Sequence, residues 1–345
     1  MGLKKMNNKT AFGRAVRGPV LILALLFLFW SLAGCSLGRE AEETQEDGRL
    51  NVVTTIFPYY DFVRQVAGDR VKLTLVVPAG MDSHSFEPTP ADMITIQEAD
   101  LLVSNGGAME HWLSQVLEAT DTSRMKVLTM MDYVDVLEEE LVEGMEDGED
   151  GHDHGHSHPE DEDGHQMEIE YDEHIWTSPV NAIHIVEIIR DTLAEEDEAN
   201  GAYYRQRAQA YLKELKDLDE AFRQVAEEEK RNLFIVADKF PFRYLADTYG
   251  WSYRAAFSGC STDAEPSAKT IAYLIDKVRE EQIPEVYYLE LSSHSTARVI
   301  SEETGAGQLL LHSCHNVTRQ EFDQGITYLQ IMRQNVENLR KGLDE

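Results

Sequence analysis

Twelve histidines are spread unevenly along this 345-residue chain. Five of them, His152, His154, His156, His158 and His165, sit in a stretch from 138 to 173 that carries 17 acidic residues and no lysine or arginine. Imidazoles interleaved with carboxylates make a low-specificity site for divalent metals, since both donor types suit borderline cations. Such a stretch buries too little apolar surface to order itself and reads as a mobile loop, whose ligands must be ordered on binding. The plainer reading is a solvated polar loop with no ligand. Of the formal charge of −32, this stretch supplies 17 negative charges and leaves about −15 for the rest of the chain.

Two other histidines stand beside elements that could present them. His84 lies in Pro78-Ala79-Gly80-Met81-Asp82-Ser83-His84-Ser85-Phe86-Glu87-Pro88-Thr89-Pro90, directly after a strand-like run ending at Val77. In open α/β sheets, ligands collect beyond the carboxyl ends of strands. His174 lies in Asp172-Glu173-His174-Ile175-Trp176-Thr177-Ser178-Pro179, just ahead of an apolar-rich helix. Taken singly, each could equally be a solvated histidine.

The elements needed to hold these side chains alternate along the chain. Short β-branched runs at 51–56, 71–77, 101–103 and 126–128 alternate with helical patterns at 59–66, 91–98 and 109–117. The strands resume at 233–236, 286–289 and 309–311. Strands alternating with helices predict parallel sheets covered on both sides. Between the two halves, Tyr204, Ala208, Tyr211, Leu215, Leu218, Phe222 and Val225 fall at alternating spacings of four and three. That stripe predicts one helix of roughly 25 residues, about 38 Å long. The fold class is therefore α/β in two lobes, each a mostly parallel sheet flanked by helices, joined by one long rigid helix. The expected boundaries are an N-terminal lobe over 50–198 that includes the loop 138–173, a linking helix over 199–230 and a C-terminal lobe over 231–345.

Length allows two domains or one large α/β unit, and 42% hydrophobic with 9% aromatic residues argues for packed cores. The acidity disfavours nucleic acid as a partner and favours cations. Lys4, Lys5, Lys9, Arg14 and Arg17 precede an uncharged run over 18–34, the layout of a secretory signal. It closes on Leu32-Ala33-Gly34-Cys35, which resembles the lipobox of bacterial lipoproteins. On this reading 1–34 is a signal peptide, Cys35 is acylated and 35–49 is an acidic tether; the alternative is an uncleaved anchor helix. Either places the remainder outside the cytoplasm.

In order and spacing, these segments resemble a family. Pro-Ala-Gly-x-x-x-His-x-Phe-Glu-Pro-Thr-Pro, then Asn105-Gly106-Gly107-x-x-Glu110-x-Trp112-Leu113, a His-rich loop, and Asp-x-His-Ile-Trp-x-Ser-Pro are similar to segments of the zinc and manganese solute-binding lipoproteins of bacterial ABC importers. The likeness continues through the long helix to Ala264-Glu265-Pro266-Ser267 and to the strand ending in Glu290. It implies a metal in the cleft between the lobes, with His84 and His174 as the N-lobe ligands. The resemblance aligns the family's usual C-lobe histidine with Ala237 and its usual aspartate with His312. The resemblance therefore implies His84, His174 and His312 as ligands, with Glu290, His315 and Asp238 as candidates for the remaining place, beside Cys260 and Cys314.

Three histidines lean towards Zn²⁺, whereas carboxylates and water would favour Mn²⁺. Outside the cytoplasm Cys260 and Cys314 could pair as a disulfide, remain thiols or bind metal as thiolates. The family implies a lipid-anchored receptor at the bacterial cell membrane that passes metal to an ABC permease and its ATPase, and not an enzyme. A metallohydrolase using the same cleft and a metal-sequestering surface adhesin are the alternatives. Against the hydrolase, the chain contains no His-Glu-x-x-His, Gly-x-Ser-x-Gly or Gly-rich phosphate loop.

Overall fold

The computed structural model describes residues 48–145, 170–260 and 265–344. Its frame is a pair of four-stranded parallel sheets. The first contains β1 (Leu50–Thr54), β2 (Val71–Leu75), β3 (Leu101–Ser104) and β4 (Lys126–Thr129), in the order β2-β1-β3-β4. The second contains β5 (Leu233–Val236), β6 (Ser252–Ala255), β7 (Glu285–Tyr288) and β8 (Gly307–Leu310), in the order β6-β5-β7-β8. Each sheet repeats one topology, and all its pairings are parallel. The central β3 is buried along its whole length, as a strand covered on both faces must be, which explains its unbroken Leu-Leu-Val run. The sequence pattern does not reveal β6: at the sheet edge Ser252-Tyr253-Arg254-Ala255 buries only alternate residues and lacks an apolar run.

Around the first sheet lie α1 (Phe57–Ala67), α2 (Pro90–Gln97), α3 (His111–Glu118) and α4 (Pro179–Glu196). Their starts are written in the sequence. Thr89 and Asp92 form a reciprocal capping box on α2, and Ser178 caps α4 ahead of Pro179. The long helix follows as α5 (Gly201–Glu228), 28 residues. The second lobe adds α6 (Arg243–Tyr249), α7 (Ala268–Glu280), α8 (Ser295–Thr304), α9 (Arg319–Asp323) and α10 (Tyr328–Asp344).

Every residue of the 4-3-4-3 stripe on α5 is buried, and the stripe belongs to one core cluster with Val52, Leu102, Phe234 and Tyr287 from the two sheets. Burying a large apolar side chain stabilises by about 1.5–3 kcal/mol, so displacing α5 would expose much of the core of both lobes. A second tie closes the back of the molecule. Asp61 in α1 accepts the backbone N–H of Tyr328 at 2.7 Å, capping α10, while Arg64 donates to Ile326 O at 2.5 Å. Both sheets accordingly fall within one compact unit, Arg49–Glu345. Large rotations of one lobe against the other would break these ties.

The acidic stretch is more ordered at its ends than its composition predicts. Glu138 bridges Tyr171 antiparallel, Glu139 N donates to Glu170 O at 2.9 Å, and Asp172 N donates to Leu137 O at 2.9 Å. Backbone pairing across the base thus orders 138–145 and 170–173, which composition alone assigns to the loop. His152, His154, His156, His158, His165 and Cys35 lie outside the described residues. Among the described residues, no helix is long and apolar enough to cross a membrane.

Candidate metal centre

His84, His174 and His315 bring one ring nitrogen each to within 4.8 Å of one another. Their ring centroids are 5.3 to 5.8 Å apart. Donors at 2.0–2.1 Å from a tetrahedral zinc stand about 3.4 Å apart, so a small inward rotation of the rings would close them on one ion. The three come from separate parts of the chain. His84 sits in the turn Ser83–Ser85 beyond β2, His174 precedes the turn Ile175–Thr177 that leads into α4, and His315 lies beyond β8. All three line a cleft of about 550 Å³.

His174 is the most firmly held. Asp172 Oδ1 accepts its backbone N–H at 2.8 Å and faces its Nδ1 at 3.2 Å, with both residues buried. Held this way, Nδ1 carries the proton and Nε2 is left to bind a metal. The neighbouring Glu173 turns away and anchors the segment: its carboxylate accepts the backbone N–H groups of Ala108 and, at 2.7 Å, Met109. Asn105 Nδ2 donates to Glu173 O at 3.0 Å, and Glu110 Oε2 accepts the N–H groups of Asn105 and Gly106 at 2.9 Å each. This explains the Asn-Gly-Gly-x-x-Glu motif as a cradle for the residue before His174. Gly107 has φ 78°, and a Cβ there would run into the Glu173 carboxylate.

For His84, Asp82 Oδ1 accepts the backbone N–H at 3.0 Å, and Phe86 packs edge-on against Trp112 at 5.2 Å. His315 is positioned by contacts across the cleft. Its ring meets the Ser83 hydroxyl, and the next residue, Asn316, donates to Pro78 O and Met81 O at 2.8 and 2.7 Å. On its own side, His315 N donates to Ser313 Oγ at 3.1 Å, and Ser313 in turn donates its N–H to Glu290 Oε2 at 2.8 Å.

The structure therefore brings His84 and His174 together with His315 and leaves His312 outside the cluster. His312 is buried, its Nδ1 accepts the Cys314 N–H at 3.0 Å, and its backbone exchanges hydrogen bonds with the Asn335 amide of α10 at 2.9 and 2.7 Å. Cys314 adopts φ 61°, and this left-handed turn separates the inward His312 from the cleft-facing His315. Glu290 and Asp238 line the cleft without joining the group of three. Ala237 lines it too and offers no donor side chain. Cys260 and Cys314 are both free thiols, so the structure contains no disulfide between them. Burial pushes both thiols well above their usual pKa, and neither joins the group of three.

The electrostatics favour neutral donors at two of the three places. Burial, and then His174, pushes His84 down to about 4. Burial, with His84 and His174 beside it, holds His315 well below its ordinary value. At His174 burial acts in the same direction, but the charge and hydrogen bond of Asp172, with Glu139 and Glu173 behind it, outweigh it and raise the pKa. The three imidazoles are the grouped donors, and Glu290 and Asp238 line the same cleft.

Residues 52–342 match the profile of ZnuA, described as zinc-uptake complex component A, periplasmic. The chain is 35% identical over 326 residues to the zinc-binding lipoprotein AdcA of Streptococcus pneumoniae, covering 94% of this chain and 61% of that protein. It thus spans about three-fifths of the length of that relative. With the high-affinity zinc uptake system protein ZnuA of Bacillus subtilis it is 32% identical over 324 residues, covering 94% and 97% of the two chains. The crystal structure of the Zn(II)-bound ZnuA-like domain of Streptococcus pneumoniae AdcA superposes with a TM-score of 0.69 at 30% identity, covering 86% of this chain and 100% of that one. The two-lobed frame and the match over nearly the whole span from β1 to α10 agree: the chain belongs to the ZnuA family.

Proposed function

We propose that this chain is an extracytoplasmic receptor that captures Zn²⁺, in preference to Mn²⁺, in the cleft between its lobes and delivers it to an ABC importer. The observation that carries this reading is the convergence of His84, His174 and His315, from both lobes, within 4.8 Å. Three nitrogen donors with no carboxylate in the group suit zinc better than manganese. The named relatives, a zinc-binding lipoprotein and a zinc uptake protein, support the same cargo. A permease receives the ion, a cytoplasmic ATPase drives its passage, and Cys35 anchors the receptor to the membrane through the tether 35–49. The lobes occupy 50–198 and 231–345, with 199–230 between them.

The role is carriage of the ion, which the match to a zinc-uptake component supports. The histidines of the acidic stretch serve as weaker collecting sites. Calorimetric titration of the mature chain with Zn²⁺, with and without residues 144–166, tests this division. One tight stoichiometric phase should survive the deletion while weaker phases disappear. Loss of the tight phase with the stretch would move the primary site out of the cleft.

A further inference from the structure

Among the described residues that line the cleft, Lys239 is the one lysine or arginine. It follows Asp238 in the loop beyond β5 and so enters from the second lobe. Its nearest recorded carboxylate, Asp82, belongs to the turn that carries His84 in the first. The ammonium stands 4.0 Å from Asp82 Oδ2, a long ion pair, while Asp82 Oδ1 is engaged by the His84 N–H at 3.0 Å. Only 22% of the lysine side chain is exposed, so solvent screens its charge incompletely.

A cation fixed here acts directly on a divalent ion in the same cleft. It repels the ion, against the attraction of the Asp82, Asp238, Glu265 and Glu290 carboxylates that line the cleft with it. We propose that Lys239 is a built-in competitor of the bound metal, which holds the affinity of the cleft below what its three histidines would reach alone and speeds release. Asp82 is its resting partner. The proposal rests on the receptor reading, and it gives that receptor a way to surrender cargo without large lobe rotation, which α5 and the Asp61–Tyr328 tie oppose.

The test compares the full mature chain with Lys239→Met, Lys239→Gln and Lys239→Arg. Zn²⁺ affinity is read by chelator competition, release by stopped flow and folding by thermal unfolding, at low and high salt. Both neutral variants should bind Zn²⁺ about tenfold or more tightly than wild type at low salt, chiefly through slower release, and salt should narrow the gap. Lys239→Arg should stay close to wild type. Unchanged or weaker affinity in the folded neutral variants, with tight binding in wild type, would overturn the competitor and leave the receptor standing. Equal tightening by Lys239→Arg would assign the effect to packing and overturn it too. Absence of a tight zinc site in wild type would remove both.

Discussion

The side-chain amide of Asn316 donates to the carbonyl of Met81 at 2.7 Å, joining the residue after His315 to the loop that carries His84. The same nitrogen donates to Pro78 O at 2.8 Å, and Met81 N closes the turn onto Pro78 O at 3.1 Å. One amide thus sets the spacing of two donors from opposite lobes. With that spacing built into the fold, binding a metal requires less ordering.

Asn316→Ala removes both bonds, together with the Val317 N–H bond to Asn316 Oδ1 at 2.8 Å. Urea unfolding should show a loss of about 1–2 kcal/mol. Zn²⁺ affinity should fall by about tenfold, since the His84 loop would then be ordered only on binding. Unchanged affinity would show that the loop holds its place without the clasp.

The pH response follows from the three imidazoles. His84 and His315 are held below their ordinary 6.5, so protons compete little for them near neutrality, whereas His174 is raised and its proton must leave when metal binds. Apparent Zn²⁺ affinity should therefore fall as pH drops through the raised value at His174. Asp172→Asn removes the strongest group favouring that proton and should move the fall to lower pH. Coincident profiles for the two proteins would contradict the assignment.

The metal-free fold has its own pH dependence. An unfolded His84 takes up its proton near 6.5 and the folded one only near 4, so the unfolded state binds more protons between those values. This contribution to stability is fully present above 6.5 and is lost as pH falls towards 4; His315 acts in the same direction. The raised pKa values of His174 and Glu110 act in the opposite sense and are common to both proteins, so the readout is the difference between them: His84→Asn should gain thermal midpoint relative to metal-free wild type at pH 5 compared with pH 7.5.

Gly107→Ala provides a geometric test of the cradle. Its φ of 78° disfavours any side chain, and the methyl would meet the Glu173 carboxylate. Gly305 has φ 81° with nothing within 4 Å of a Cβ, so Gly305→Ala shows the conformational cost alone, about 1 kcal/mol. The Gly107 variant should lose about 2 kcal/mol or more and bind Zn²⁺ more weakly through a displaced His174. Equal losses in the two variants would mean that the Glu173 contact is unimportant.

Particular elements show how far the sequence carries. The stripe from Tyr204 to Val225 is legible because a helix repeats its buried face at fixed spacing, and the whole stripe is buried. His84 and His174 are legible because each sits in a distinctive local segment beside a strand or helix. The choice between His312 and His315 is not legible, because it depends on the left-handed φ of Cys314, which nothing in the residue type announces, and on Asn335 from the distant α10. Lys239 is similarly silent: its place beside Asp82 exists only once the two lobes meet.

The central claim is that the cleft binds metal on His84, His174 and His315. Calorimetric titration of Zn²⁺ into wild type, His315→Ala and His312→Ala tests it most directly, with His84→Ala and His174→Ala as companions. One tight equivalent should bind wild type, and the His315, His84 and His174 variants should lose that phase. His312→Ala should keep it, at some cost in stability from the emptied buried site. A tight phase retained in His315→Ala and lost in a folded His312→Ala would contradict the account.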